Sequence, residues 1–391
     1  MNYAQKYRIY PNKQQKEFLE KSFGCSRFVY NHFLAKNNKQ YAENKKSDSY
    51  VKNSSELTKL KKEHEWLNEV SAVVLQQSLR NLDTAYTGFF RKNTRYPNFK
   101  KKSNKNSFSI PQVAKVVGRK LSIPKCRNIK IALNKELPEF KTVTISKTPD
   151  GKYYASFSIE DERELPKKPK LEINKTIGID LGIKSFAVIS TGEVIDNPRH
   201  LKSSLNKLKK EQRKLSKKKK GSKNRGKQRV RVARVHQRIA NQRKDFLHKL
   251  TYRLTHENQV NSICIEDLAV SNMMKNHKLA QAISDVSWSE FRRQLTYKCD
   301  WYGKNLIVIN RFDPSSKMCR HCGEITELTL ADRAWTCRCG ELIDRDLNAA
   351  LNIKSFGIEQ YRRNYGNLKP VESKIRPVRR QSSKKRESTT F

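Results

Sequence analysis

The stretch that decides the fold is 176–183, Thr-Ile-Gly-Ile-Asp-Leu-Gly-Ile, an apolar run with one acid near its centre. Two strand-like runs follow it closely, at 185–190 and 193–195, so this part of the chain predicts three strands joined by tight turns. A carboxylate inside a buried strand costs several kcal/mol of desolvation unless a cation or hydrogen-bond donors compensate it. Asp180 therefore predicts a compensating partner for its charge.

Two more acids lie beside apolar runs in a chain with few acids. Glu266 closes 263–266 (Ile-Cys-Ile-Glu), and Asp344 opens 344–352 (Asp-Arg-Asp-Leu-Asn-Ala-Ala-Leu-Asn). Two carboxylates about 4 Å apart repel by about 4 kcal/mol at an effective dielectric constant of about 20, and bound Mg²⁺ turns that repulsion into attraction. A two-metal phosphodiester hydrolase has this arrangement, with ions roughly 3.5–4 Å apart.

Each acid also has an ordinary structural explanation. Asp180 could lie in a turn, and Glu266 could form an ion pair with one of the many lysines or arginines. Asp344 fits the cap of a helix whose apolar stripe contains Leu347 and Leu351. Together, the three acids are a more specific sign of a metal site, because the first two each end a strand and the third opens a helix.

Four of the eight cysteines have metal-binding spacing. The pattern is C-x2-C, 14 intervening residues and C-x-C, formed by Cys319, Cys322, Cys337 and Cys339. We expect a structural zinc ribbon, because clustered thiolates in an intracellular chain favour tetrahedral zinc over a disulfide framework. The second pair is one residue closer than the usual C-x2-C, which leaves His321 as a substitute ligand.

Two residues near the cysteine cluster in sequence, and the four cysteines outside it, also carry predictions. We expect Trp335 to pack against the zinc ribbon. Arg333 has three open roles: to stabilise transition-state charge, to contact phosphate, or to serve only as a surface residue. The other cysteines are scattered and are expected to be reduced, half-buried thiols: Cys25, Cys126, Cys264 and Cys299.

The charge of the chain indicates a polyanionic partner. Its 391 residues include 83 Lys and Arg against 38 Asp and Glu, a formal net charge of +45. Residues 199–253 hold 22 of these cations and only two acids, Glu211 and Asp245. Phosphate backbones are the abundant intracellular polyanions. We find no run of roughly 20 apolar residues and no signal peptide, so we expect a soluble, intracellular protein that binds nucleic acid.

Periodicity along the chain predicts a multidomain α/β protein. A short strand at 7–11 precedes helical periodicity over 13–46, and a second helix places Leu75, Leu79, Leu82, Tyr86 and Phe89 on one face. The β-rich runs in 108–159, with the turn 149–151 (Pro-Asp-Gly), predict a small antiparallel barrel. The segment 166–170 fits a linker, whereas 217–227 is expected to be too charged to pack.

These motifs together resemble the ribonuclease-H-like RuvC core of TnpB, a family of transposon-encoded RNA-guided nucleases related to compact type V CRISPR effectors. The resemblance spans almost the whole chain, through 23–31, 75–80, 96–99, 178–182, 265–268, 315–323, 333–337 and the helix opening at 344. It implies that Asp180, Glu266 and Asp344 form the catalytic metal-binding triad. Asp346 and Asp267 are the neighbouring acids most easily confused with it; on a helix, Asp346 points about 200° away from Asp344.

The resemblance also implies a domain plan. The β-barrel domain comprises 1–12 and 92–170, with a helical recognition insertion at 13–91. The nuclease domain comprises 171–310 and 341–370, with the zinc ribbon inserted at 311–340, and a disordered basic tail covers 371–391.

The implied activity is Mg²⁺-dependent, or Mn²⁺-dependent, cleavage of double-stranded DNA beside a short target-adjacent motif. A guide RNA from the transposon end would select the target by base pairing. Gln76 and Gln77, with Arg80 and Arg333, are the candidate nucleic-acid contacts. The main alternative is a nuclease-inactive RNA-guided repressor, and an unguided nuclease or resolvase is the other; a monomer is the expected state.

Overall fold

The computed structural model describes residues 2–45, 48–102, 106–257, 259–329 and 332–366. They form two units, Met1–Glu164 with Lys214–Arg234, and Leu165–Arg213 with Val235–Phe391. The division after Glu164 falls just before the segment 166–170 that the sequence offers as a linker. The predicted basic tail, 371–391, lies outside the described residues.

The first unit is built on a seven-stranded antiparallel sheet with the order β2-β6-β7-β1-β5-β4-β3. Its inward residues alternate along the strands and form one core, as in the hairpin β6–β7 that the Pro-Asp-Gly turn predicts. In the described strands β2 pairs only with β6 and β3 only with β4, so barrel closure stays a prediction. The strands are β1 (Asn2–Tyr10), β2 (Asn106–Pro111), β3 (Lys115–Val117), β4 (Lys120–Ile123), β5 (Cys126–Ile131), β6 (Thr142–Lys147) and β7 (Tyr153–Glu160).

Three helices lie between β1 and β2 in sequence: α1 (Lys13–Asn44), α2 (Tyr50–Glu63) and α3 (Ala72–Phe90), with a 3-10 turn at Glu65–Glu69. Asn12 caps α1, accepting from the amide of Gln15 at 2.8 Å while the Gln15 side chain accepts from the amide of Asn12 at 2.9 Å. The predicted apolar face of α3 is confirmed where Leu75, Leu79 and Leu82 enter a shared core with α1 and α2.

The second unit contains a five-stranded mixed sheet with the order β10-β9-β8-β11-β12. The first three strands are antiparallel, and β8, β11 and β12 run parallel to one another. The strands predicted around Asp180 and before Glu266 are present as β8 (Thr176–Leu181), β9 (Ser185–Ile189), β10 (Val194–Asp196) and β11 (Ser262–Ile265). The sheet is completed by β12 (Asn305–Val308).

The remaining elements are α4 (His200–Ser216), α5 (Lys223–Tyr252) with a π-helical end at Arg253–Glu257, α6 (Val270–Met273), α7 (Ala280–Val286), α8 (Trp288–Trp301), β13 (Ala334–Thr336), β14 (Leu342–Asp344) and α9 (Arg345–Tyr365). The prediction that 217–227 is too charged to pack is wrong for its second half, which begins α5. Arg225 donates to the carbonyls of Leu215 and Lys218, at 2.8 and 2.7 Å, and so closes the turn between α4 and α5. No helix in the described part of the chain is long and apolar enough to span a membrane.

The last helix packs closely on the second sheet because two glycines allow it. A Cβ on Gly178 of β8 would lie 2.0 Å from the carbonyl oxygen of Ala350, and a Cβ on Gly357 of α9 would lie 2.3 Å from the Cys264 sulfur on β11. Contacts this short leave no room for any side chain. Gly178, in the 176–183 stretch, therefore fixes the position of α9 across the sheet.

Candidate active site

A cavity of about 990 Å³ opens in the second unit where β8, β11 and α9 converge. Register places Ile179 beside Ile265 on the parallel strands β8 and β11, so the next residues, Asp180 and Glu266, are neighbours at the carboxyl ends. Open sheets commonly bind ligands at this edge. Asp346, from the first turn of α9, lines the cavity with them, and so does Asp285, whose carboxylate is paired with Arg243 at 2.8 Å.

The electrostatics of Asp180 indicate a site built for a cation. Burial raises the pKa of Asp180 well above its usual value, and the negative charges of Glu266 and Asp346 raise it further. Arg345 acts in the opposite direction but is a smaller influence. Glu266 and Asp346 disfavour the ionisation of Asp180, and together the three acids offer oxygen ligands whose repulsion a divalent ion would relieve.

Glu266 has a hydrogen-bond partner that the sequence does not suggest. The buried hydroxyl of Ser315 donates to Glu266 Oε1. Burial raises the pKa of Glu266, and this hydrogen bond opposes the rise because it favours the ionised carboxylate. Ser315 thus holds one oxygen of Glu266 in a fixed direction.

The loop that carries Ser315 is attached to α9 by two asparagines one helical turn apart. Asn352 donates to the carbonyls of Ser315 and Met318 at 2.8 and 2.7 Å. Asn348 donates to Met318 at 2.8 Å and accepts from the amide of Arg320 at 3.1 Å. Both asparagines are buried. Their i, i+4 spacing in the 344–352 motif is the one sequence signal that could have revealed this contact.

The predicted third ligand, Asp344, is not among the residues that line the cavity. Its side chain accepts from the amide of Leu347 at 2.8 Å and caps α9, and the residue is exposed. Capping directs this carboxylate at the helix backbone, whereas Asp346, two residues on, lines the same cavity as Asp180. The geometry thus favours Asp346 over Asp344.

Asp267, the other neighbouring acid, has a separate role. Arg292 and Arg311 each donate to its carboxylate at 2.5 Å, and Arg311 also donates to its carbonyl at 3.1 Å. The hydrogen bond from Arg292 is the main reason that the pKa of Asp267 is lowered. Its charge is already compensated, so it does not compete with Glu266.

Basic side chains line the same cavity. Arg333 lies 3.6 Å from Asp346 Oδ1, half-exposed, as expected of a group near the acids. Arg345 donates to the carbonyls of Thr329 and Asp332 at 2.6 and 3.1 Å, which hold it in place. Further cations on the wall could meet phosphates: Lys184, Arg199, Lys202 and Lys278.

The four predicted cysteines come together as one cluster. Their sulfurs all lie within 4.8 Å of one another, with 3.8 Å between Cys319 and Cys339 and 3.5 Å between Cys322 and Cys337. Zn–S bonds of about 2.3 Å in a tetrahedron require sulfurs about 3.8 Å apart, so this donor set fits zinc. His321 is exposed and outside the cluster, while Trp335 packs against Cys319 and Cys337 as predicted.

The candidate contacts on α3 belong to the first unit. Gln76 is exposed and Gln77 donates to Asn81 at 3.2 Å. Arg80 is exposed and donates to the hydroxyl of Tyr50 at 3.3 Å. Gln76 is therefore the most available of the three for a nucleic-acid base.

Profiles of known families match most of the chain. The family described as "Probable transposase" matches residues 156–277, and a "Cas12f1-like, TNB domain" matches residues 288–353. A "Helix-turn-helix domain" profile matches residues 1–46, of which most form β1 and the single helix α1.

Relatives in curated collections cover nearly the whole chain. A Streptomyces pristinaespiralis protein named as an RNA-guided DNA endonuclease is 44% identical over 91% of this chain and 89% of its own. InsQ of Escherichia coli K12, named in the same way, is 33% identical over 90% of this chain and 92% of its own.

Solved structures resemble the chain in fold. The Cas12f1 chain in a complex with guide RNA and target DNA has a TM-score of 0.56 at 13% identity, over 90% of this chain and 98% of that one. The architecture shared with that compact effector is mixed α/β.

Proposed function

This chain belongs to the TnpB family of transposon-encoded RNA-guided DNA endonucleases, and on that premise we propose that it cleaves double-stranded DNA at a site chosen by a guide RNA. The observation that carries the proposal is the convergence of Asp180, Glu266 and Asp346 in one cavity. The strand order and directions of the second sheet support a ribonuclease-H-like RuvC core for these acids.

Asp180, Glu266 and Asp346 would hold two Mg²⁺ ions, or Mn²⁺ in their place. Such ions, when bound, lower the pKa of an attacking water and stabilise the leaving oxygen of a phosphodiester. The chain's own contribution is positional: β8 and β11 set the first two carboxylates side by side, and α9 adds the third. Arg333, 3.6 Å from Asp346, is placed to contact a phosphate of the strand being cut.

The four cysteines would hold a structural Zn²⁺, as their sulfur separations favour. All four positions of a tetrahedron would be filled by thiolates, which leaves none for substrate. The module would stabilise the loop that carries Ser315, because Cys319 lies four residues along the same loop.

The RNA and DNA partners follow from the family and the charge. A guide RNA encoded at the transposon end would pair with one target strand, and the protein would read a short motif beside the target. Exposed Gln76 on α3 is the proposed reader, since an amide can bond bidentately to adenine. The cations of α4 and α5 would neutralise the heteroduplex.

We propose the predicted domain plan for the same reasons, with a wedge-like β-barrel interrupted by a helical recognition insertion and a nuclease core interrupted by the zinc ribbon. We also propose that the protein is a monomer in the prokaryotic cytoplasm, associated with the nucleoid.

The sharpest test compares two acids that are two residues apart. With cognate RNA and Mg²⁺, Asp346→Asn should lower the cleavage rate of a matched DNA by about 100-fold or more. Asp344→Asn is the matched control; because asparagine also caps helices well, its rate should stay within about 3-fold of the parent. An inactive Asp344→Asn beside an active Asp346→Asn would return the third ligand to Asp344.

The second candidate function is a guided DNA-binding repressor that does not cut. The presence of all three acids favours the nuclease. Asp180→Ala separates the two: it should abolish cleavage while RNA-dependent DNA binding, measured by mobility shift, stays intact. Undiminished cutting by Asp180→Ala would refute the assigned site.

A further inference from the structure

The end of α3 and the segment after it present aromatic rings to solvent. Phe90 is 68% exposed and Tyr96 is 43% exposed. Both contact the partly buried Phe89, with ring centroids 5.4 and 5.1 Å away, and both contact Tyr86, at 6.4 and 5.9 Å. We name Tyr86, Phe89, Phe90 and Tyr96 the aromatic cluster. Rings grouped in this way at a surface commonly mark an interaction site.

A close turn fixes the shape of the cluster. Lys92 adopts a left-handed conformation (φ 59°), and the amides of Asn93 and Thr94 return to the Gly88 carbonyl at 3.0 and 3.2 Å. A Cβ on Gly88 would lie 2.9 Å from Thr94 Oγ1, so the turn is packed tightly on the helix. The chain thereby comes back along α3 and brings Tyr96 onto Phe89.

The segment beyond the turn is attached to α1. The hydroxyl of Tyr96 donates to Asn38 Oδ1 at 2.5 Å. Asn31 donates to the Lys100 carbonyl at 2.9 Å and accepts from the Lys100 amide at 2.8 Å, and the Lys100 ammonium lies 3.7 Å from the Tyr30 ring centroid. Tyr96 is therefore held in place before any partner binds, which lowers the entropic cost of binding.

The segment that carries the cluster is basic. From Thr84 to Lys102 the sequence has no acid and six bases. Five of the six are exposed: Arg91, Lys92, Arg95, Lys101 and Lys102. Flat rings beside cations suit a strand whose bases stack while its phosphates meet lysine and arginine.

We propose that the aromatic cluster is a stacking site for an unpaired base of RNA. RNA is the better partner than duplex DNA because its loops, bulges and ends present base faces, whereas duplex bases are stacked on one another. The site rests on the proposed function only in taking nucleic acid as partner; it needs neither the carboxylates nor cleavage.

The test uses the full chain with a single-stranded RNA of about 10 nucleotides that carries 2-aminopurine at its centre. Ultraviolet crosslinking followed by mass spectrometry should place RNA on peptides that contain Phe90 or Tyr96. Phe90→Ala should remove those crosslinks and raise the RNA Kd by about 5- to 100-fold, the usual range for one lost stacking contact. Phe90→Trp should retain both crosslinking and affinity.

Controls separate stacking from folding and from general charge. Phe312→Ala removes an even more exposed ring, 92% exposed, in the second unit, and should change neither the Kd nor the crosslinks. Equal crosslinking and affinity in Phe90→Ala and the parent would overturn the stacking site while leaving the proposed function intact. Preference of these peptides for DNA of the same sequence would overturn the RNA assignment. Failure of the parent to bind RNA at all would instead refute the guided function, and the site with it.

Discussion

At the scale of single residues, the site combines acids that repel one another with donors that orient them. Asp180 and Glu266 could be predicted because each carboxylate ends an apolar strand, and strand register then makes them neighbours. Asp346 is harder to predict from the sequence, because two acids open the same helix and only capping geometry distinguishes them. Ser315 could not be predicted, since 49 residues separate it from Glu266 along the chain.

Removing the hydroxyl of Ser315 should weaken metal binding. Ser315→Ala takes away the donor to Glu266, so the half-saturating Mg²⁺ concentration for cleavage should rise by about 10-fold or more. Mn²⁺ binding followed by electron paramagnetic resonance should weaken in parallel. Ser316→Ala, the adjacent serine that lines the cavity, is the control. Identical metal dependence in Ser315→Ala and the parent would contradict an orienting role for Ser315.

Neutralising Asp180 should stabilise the metal-free protein. The folded-state pKa of Asp180 is raised, so the parent loses stability as pH rises from about 4, its unfolded-state pKa, to the raised value. Asp180→Asn avoids that loss; its advantage should be absent near pH 4, grow through this interval and stay constant above it. A gain of about 1–2 kcal/mol is expected in magnesium-free thermal unfolding.

Asp267→Asn should change the folding stability in the opposite direction. The pKa of Asp267 is lowered by Arg292 and Arg311, so its ionised carboxylate stabilises the fold at neutral pH, and this stability is lost as pH falls. The Asp267→Asn substitution should therefore destabilise the protein above pH 4.

The Asp180→Asn prediction has a clear contradicting outcome. Destabilisation by Asp180→Asn in magnesium-free buffer would mean that the charge of Asp180 is compensated within the chain.

At the scale of elements, the close fit of β8 and α9 sets the third carboxylate beside the first. Gly178→Ala would place a Cβ 2.0 Å from the Ala350 carbonyl, so α9 must move away from the sheet. We expect destabilisation of about 2 kcal/mol or more, together with loss of cleavage, because Asp346 moves with the helix. Thermal unfolding and a cleavage assay measure the two effects.

Gly24→Ala is the matched control for that substitution. Gly24 lies inside α1 and a Cβ there meets nothing within 4 Å. Alanine favours helices, so this variant should be about 0.5–1 kcal/mol more stable. If Gly178→Ala were as harmless as Gly24→Ala, the packing of α9 would not be what positions Asp346.

Local patterns predicted most elements of the chain, and long-range contacts explain what they missed. Most strands of the second sheet follow from short apolar runs, and the apolar face of α3 follows from helical spacing. The start of α5 was missed, because like charge predicted an unpacked loop while Arg225 satisfies the carbonyls at that turn. Closure of the first sheet depends on pairing between distant strands, which periodicity cannot report.

At the scale of the whole molecule, a charge of +45 provides attraction to any nucleic acid but no choice of sequence. Under the proposed function, the choice of target comes from base pairing to a bound RNA. We expect that changing only the guide segment of the cognate RNA redirects cleavage to the newly matched DNA, and that random RNA of equal length supports none. Sequencing of cleaved plasmid ends measures both. Equal cleavage with random RNA would favour an unguided nuclease.

The late position of α9 along the chain has a consequence for synthesis. Asp180 and Glu266 leave the ribosome long before Asp346, Asn348 and Asn352, so the pair of strand acids exists at first without its third member and without the asparagines that dock the Ser315 loop. A nascent or prematurely terminated polypeptide that ends before α9 therefore lacks Asp346, and under the proposed function we expect it not to cleave DNA.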